Sequence, residues 1–101
     1  MELGGNNACI VLADADLDTY LDTMVNARMQ NTGQSCIAAK RFIVEAPIYD
    51  EFLEKLIKKV SNIKIGDPLK DDTELSVLAR KDLADTLKKQ VDQSVKNGAT
   101  I

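Results

Sequence analysis

Hydrophobic and polar positions alternate along this chain in two periods, and each period predicts an element. Ala8 to Leu12 is a continuous apolar run between polar stretches and predicts a buried strand. A polar break follows, in which either Asp14 or Asp16 can cap a helix by accepting from its free N–H groups. Leu17, Tyr20, Leu21, Met24 and Val25 recur at helical spacing, and Gly33 in Asn31-Thr32-Gly33-Gln34 is placed to break that helix. Ser35 to Lys40 is small and mildly apolar. Arg41 to Glu45, with β-branched and aromatic residues between charges, predicts a second strand. Pro47 suits the first turn of a helix, where its missing N–H is no loss. Ile48, Phe52, Leu53, Leu56, Ile57 and Val60 continue as an amphipathic stripe, with Lys55, Lys58 and Lys59 off it as a solvated face. Gly66 and Pro68 mark Ile63 to Leu69 as a connection, and Asp71 to Glu74 reads as exposed. Leu83, Leu87, Val91 and Val95 predict a third helix, which Gly98 is placed to end. Ala99-Thr100-Ile101 reads as the start of another strand.

The order strand, helix, strand, helix, helix, strand argues for α/β packing around a mainly parallel sheet with flanking helices. At 101 residues there is room for one domain, residues 1–101. The abrupt start and finish suggest a piece of something longer. The hydrophobic share of 45% excludes a disordered chain, and the net charge of −3 argues against a nucleic-acid partner. No apolar run approaches a membrane span, and no basic segment followed by an apolar one marks secretion, so a cytoplasmic protein without a membrane partner is expected. The absence of histidine excludes a histidine-activated nucleophile or a histidine-ligated metal within these residues. Two cysteines, Cys9 and Cys36, show no CxxC spacing, so no metal site is expected and a reducing compartment fits best.

Several residues can carry chemistry when read singly. Cys36 lies between a helix and a strand, where a thiolate can act as nucleophile, or where a small side chain can simply be buried. Cys9, inside an apolar run, reads as structural. Glu2 beside Gly4-Gly5 can serve as a general base or be a solvated surface carboxylate. The paired glycines match no complete phosphate-loop pattern. Asp71, Asp72 and Glu74 lack the spacing of a calcium loop.

Taken together, two of these motifs are more specific. Glu2-Leu3-Gly4-Gly5 is followed, 34 positions after Glu2, by Cys36 in Gly33-Gln34-Ser35-Cys36. In that order and at that spacing the two segments resemble the NAD(P)-dependent aldehyde dehydrogenases. Asn7 to Asp18, Asn31 to Val44 and Leu78-Ala79-Arg80 with the helix after it are similar to the same family, so the resemblance covers essentially the whole chain.

The resemblance implies part of an aldehyde dehydrogenase catalytic domain, preceded by the end of its cofactor domain. It implies Cys36 as the nucleophile that forms a thiohemiacetal and then a thioester, and Glu2 as the base that activates water. It implies Leu3 and Gly4 near the nicotinamide of NAD or NADP, Ser35 and Ile37 shaping the aldehyde pocket, and the Cys36 N–H donating to the oxyanion. The family's cofactor domain, an upstream asparagine of the oxyanion hole, a downstream glutamate-x-phenylalanine segment and the oligomerisation arm have no counterpart in these residues. The isolated chain is therefore expected to be inactive and to expose apolar surface that drives self-association, while the full-length protein is expected to be a homo-oligomer.

Asn31 to Val44 is most similar to the bacterial branch that oxidises succinate semialdehyde. Many such enzymes carry an arginine six positions before the nucleophile, where it can pair with the substrate carboxylate. Here that position is Gln30, and Arg28 is expected to point elsewhere on the helix. Two other readings compete with the enzyme: a non-catalytic α/β interaction module derived from the family, and a thiol redox protein that uses Cys36.

Overall fold

The structure is a computed structural model that describes residues 4–101. Strand β1 (Asn7–Val11) leads through helix α1 (Leu17–Met29) to strand β2 (Ala39–Val44). A single 3₁₀ turn, Ala46–Ile48, with Pro47 in its first positions, then feeds helix α2 (Tyr49–Ser61). After a long connection, helix α3 runs from Lys81 to Lys96.

Two helix ends follow residues the sequence singled out, Asp16 before α1 and Gly98 after α3. Asp16, rather than Asp14, caps α1: its carboxylate accepts from the Thr19 N–H at 3.1 Å and the Thr19 hydroxyl at 2.6 Å. The bond from that hydroxyl is the main reason the Asp16 carboxyl lies below the ordinary carboxylate range. Gly98 ends α3 with φ 99°, and the Ala99 N–H returns to the Ser94 carbonyl at 3.0 Å. Residues Ala99–Ile101 form no strand. A strand exists only by pairing, and the sheet among the described residues consists of β1 and β2 alone.

β1 and β2 run parallel, with Cys9 opposite Phe42 and Val11 opposite Val44. The crossover helix α1 packs on this pair, as a parallel pair requires. Val11, Leu17, Leu21, Val25, Ile48 and Phe52 form the buried core, with Phe42, Val44, Leu56 and Val60 packed against it. The Phe42 and Phe52 rings meet tilted, with centroids 5.5 Å apart.

Two lysines depart from the expectation of a solvated face. Lys55 pairs with Asp18 of α1 and with Glu51, and Lys59 pairs with Asp22 of α1 at 2.6 Å. Both partners are spaced by four residues, so the helices present facing rungs of opposite charge. Hydrogen bonds that the Lys55 ammonium donates to Asp18 and Glu51 raise it well above the ordinary lysine range. Lys58 remains exposed.

The connection after α2 closes on itself. The N–H groups of Glu74 and Leu75 both donate to the Lys64 carbonyl, and Ile65 bridges Leu75. α3 carries the predicted stripe but buries none of it: Leu83, Leu87, Val91 and Val95 are each between 41% and 49% exposed.

Candidate active site

The described part of the first motif, Gly4-Gly5, and the segment Gly33–Cys36 lie at one end of the parallel pair, just before β1 and β2. α1 stops at Met29, and three consecutive residues then take left-handed conformations: Asn31 (φ 52°), Thr32 (φ 56°) and Gly33 (φ 75°). The break expected from Gly33 alone is thus a three-residue left-handed turn. Thr32 is β-branched, so its positive φ is strained by about 1–3 kcal/mol. Its neighbours hold it in place. The Arg28 guanidinium donates to the Gly33 carbonyl at 3.3 Å, so Arg28 folds back onto this turn. Gln34 spans the turn: its amide donates to the Asn31 carbonyl at 3.0 Å, and its carbonyl accepts from the Ala79 N–H at 2.8 Å.

Cys36 follows in a second turn, closed by the Ala38 N–H donating to the Ser35 carbonyl at 3.1 Å. Ala38 and Ala39 anchor this turn beneath the surface. Ser35 and Cys36 are half-buried, while Ile37 is 67% exposed. The Lys40 ammonium bends back under the turn and donates to the carbonyls of Ser35 (2.8 Å), Cys36 (3.3 Å) and Ala38 (3.4 Å).

The glycine segment reaches the same turn. A Cβ built on Gly5 would stand 2.5 Å from the Cys36 carbonyl oxygen, so only glycine fits there without displacing backbone. Asn7 donates to the Ile37 carbonyl at 3.4 Å, and Arg41 donates through two nitrogens to the Asn6 carbonyl at 3.2 and 3.0 Å. The segment Gly5–Asn7 is therefore held against the cysteine turn at Gly5 and Asn7, and to β2 through Arg41. Glu2 and Leu3 themselves lie outside the described residues. Among the described residues nothing lies within 4 Å of where a Cβ on Gly4 (φ 130°) would stand, so they leave its backbone open to close approach.

The two cysteines differ in setting. Burial pushes the Cys9 thiol above its ordinary value, which keeps it protonated and unreactive. Cys36 lies in a turn open to the surface, and among the described residues no hydrogen bond engages its N–H. An unengaged N–H beside a thiol can meet an oxyanion formed by that thiol's attack.

An open groove of about 940 Å³ lies elsewhere, between the C-terminal ends of α1 and α2 and residues Glu74 and Leu75. Gln30 and Asn31 line it, but none of Gly4, Ser35, Cys36 and Ile37 does.

Comparison with known proteins decides the lineage. All of residues 1–101 match the model of the aldehyde dehydrogenase family. The chain belongs to that family. It is 48% identical over its full 101 residues to a Mycobacterium avium (strain 104) protein named succinate-semialdehyde dehydrogenase (NADP(+)), and covers 21% of it. Among solved structures, lactaldehyde dehydrogenase from Escherichia coli superposes with TM-score 0.94 at 32% identity, over 98% of this chain and 21% of that one. The NAD+ complex of aldehyde dehydrogenase from Bacillus cereus superposes with TM-score 0.92 at 33% identity, over 98% of this chain and 20% of that one. The chain thus spans about a fifth of the length of these aldehyde dehydrogenases, and its parallel strand pair and helices match the aldehyde dehydrogenase arrangement.

Lys40 and Arg41 also shape this site and were not legible as site residues in the sequence. The one available signal was Lys40 itself, a cation closing the small apolar run Ile37-Ala38-Ala39.

Proposed function

We propose that this chain is the part of an NAD(P)-dependent aldehyde dehydrogenase that carries the nucleophile and the general base, and that the parent protein oxidises a carboxylate-bearing aldehyde such as succinate semialdehyde to the acid. The observation that carries this reading is the close approach of the glycine segment to the cysteine turn, where Gly5 abuts the Cys36 carbonyl. Gly5 and Cys36, distant in sequence, thus meet at one turn, and Glu2 lies three residues before Gly5.

In this reading the Cys36 thiolate adds to the aldehyde carbon, and the carbonyl π electrons move onto oxygen. The Cys36 N–H stabilises that oxyanion as the thiohemiacetal forms. The open backbone at Gly4 fits close approach by a planar ring, and Gly4 with Leu3 would flank a nicotinamide. When bound, NAD or NADP supplies the hydride acceptor for the oxidation. Glu2 then takes a proton from the water that attacks the Cys36 thioester, and the acid leaves as Cys36 regains its thiol. Ser35 and Ile37, on either side of the nucleophile, shape the aldehyde pocket. The high exposure of Ile37 leaves its side chain available for that contact.

The M. avium relative's name supports the substrate and NADP, and the B. cereus complex supports NAD for a close structural neighbour. Gln30 replaces the arginine expected to bind a substrate carboxylate and lines a groove that Cys36 does not, so the carboxylate is held by other residues of the full-length protein. The free cysteines fit a reducing, cytoplasmic setting. The full-length protein is a homo-oligomer in this reading, and the 101-residue chain alone is inactive.

The test is aldehyde oxidation by the full-length protein with succinate semialdehyde and each cofactor. Cys36→Ala is expected to lower kcat/KM at least about a thousandfold. Glu2→Gln is expected to slow turnover while leaving rapid acylation of Cys36 intact. Retention of oxidation by Cys36→Ala overturns the reading, and oxidation by the purified 101-residue chain overturns its inactivity.

A further inference from the structure

The register of the parallel pair is interrupted beside the site. Asn7 is opposite Ala39 and Ala8 is opposite Arg41, so Lys40 has no partner on β1. A residue extruded from a ladder in this way has its side chain re-aimed. Here the re-aimed ammonium collects three carbonyls of the turn that holds Cys36.

Peptide geometry gives this contact a directional consequence. In a trans peptide the C=O and the following N–H lie in one plane and point in opposite directions. The Ser35 carbonyl and the Cys36 N–H belong to the same peptide. That carbonyl is held on one side by Lys40 at 2.8 Å and by the Ala38 N–H at 3.1 Å, which occupies both of its lone pairs. The Cys36 N–H must then point away from Lys40, and among the described residues nothing else receives it. A cation on the carbonyl oxygen also draws electron density from the peptide and strengthens its N–H as a donor.

We infer that Lys40, extruded from β2, is a positioning residue that aims and strengthens the Cys36 N–H for the oxyanion by clamping the opposite face of the same peptide. This inference rests on the reading of Cys36 as the nucleophile. Lys40 touches no reacting atom in this scheme; it acts through the backbone of Cys36.

The experiment uses the full-length protein and four forms of it: parent, Lys40→Met, Lys40→Arg and Cys36→Ala. Steady-state oxidation of succinate semialdehyde gives kcat and KM. Alkylation of Cys36 by iodoacetamide, followed by peptide mass spectrometry without aldehyde or cofactor, reports the state of the thiol and its turn. Lys40→Met is expected to lower kcat about 10- to 100-fold, because a misdirected donor costs less than the 10²–10³-fold of a removed one. KM and the alkylation rate are expected to stay within about twofold, and Lys40→Arg, which keeps a cationic donor, to recover most of kcat.

A Lys40→Met protein with parental kcat overturns the inference. Alkylation and kcat falling together in both Lys40 variants also overturns it, since Lys40 would then only hold the turn up. A Lys40→Arg protein that folds and is as slow as Lys40→Met does so too. Oxidation surviving in Cys36→Ala overturns the underlying reading instead, so the two failures are told apart.

Discussion

α1 and α3 invert the relation between pattern and burial. α1 is the least cleanly amphipathic of the three helices, yet it buries Leu17, Leu21 and Val25. α3 carries one of the sharpest stripes in the chain and buries nothing. The difference lies in the neighbours. α1 is the crossover between two paired strands, and α2 closes over it with Phe52, so even a modest apolar face is covered. α3 follows a connection that folds on itself and has no facing layer among the described residues. Amphipathicity names the face that favours burial, while topology decides whether anything covers it.

The largest expected effect comes from cutting into the covered half. Phe52→Ala in the 101-residue chain should destabilise it by about 3–5 kcal/mol in urea unfolding, as large-to-small changes in a filled core do. Leu87→Ala on α3 should cost less than about 1 kcal/mol in the same measurement. Equal losses at the two positions would break the comparison.

Gly5→Ala probes the joint between the two motifs. Its Cβ would overlap the Cys36 carbonyl, and relieving that overlap should cost about 1–3 kcal/mol. The same variant should change the alkylation rate of Cys36 severalfold, because the turn itself must move. An unchanged rate would mean that the glycine segment and the turn are not coupled.

The uncovered half should announce itself in association. The 101-residue chain is expected to self-associate through the α3 stripe, and Leu87→Glu with Val91→Glu should shift it toward monomer in sedimentation velocity. A parent chain that stays monomeric at high concentration would show that the stripe is tolerated by water.

The smallest effect is at the head of α1. The Asp16 carboxyl is lowered in the folded chain, chiefly by the Thr19 hydroxyl. Its contribution is therefore complete above the unfolded carboxylate value, near 3.8, and is lost as pH falls through the lower folded value. Asp16→Asn keeps an acceptor for the cap but removes this acid-dependent part. Its Tm should trail the parent slightly near neutral pH and converge with it in strong acid. A gap that widens toward low pH would reverse the sign.

Much of this was legible in the residues. Ala8 to Leu12, the α1 and α2 stripes, Pro47 and Gly98 each mark a local conformational preference, and each element formed within a residue or two of its expected place. Choosing between Asp14 and Asp16 was not possible, because both precede the helix and only the geometry around Thr19 separates them. Asp18 and Asp22 gave no hint that Lys55 and Lys59 would meet them, since interhelix pairing depends on how α2 rotates against α1. At the site, the glutamate-glycine and glycine-glutamine-x-cysteine segments were readable as a pair. Lys40 was not, because its direction comes from a register shift between β1 and β2.

From sequence alone came the periodicities, the helix ends and the ordered spacing of Glu2 and Cys36, all of which depend on residue type over a few neighbouring positions. Tertiary structure decided the rest. It pressed Gly5 onto the Cys36 carbonyl, turned Lys40 beneath the cysteine turn and left α3 without cover. Those outcomes depend on contacts between residues far apart in the chain, and such contacts are set by strand register and helix packing, which no local preference encodes.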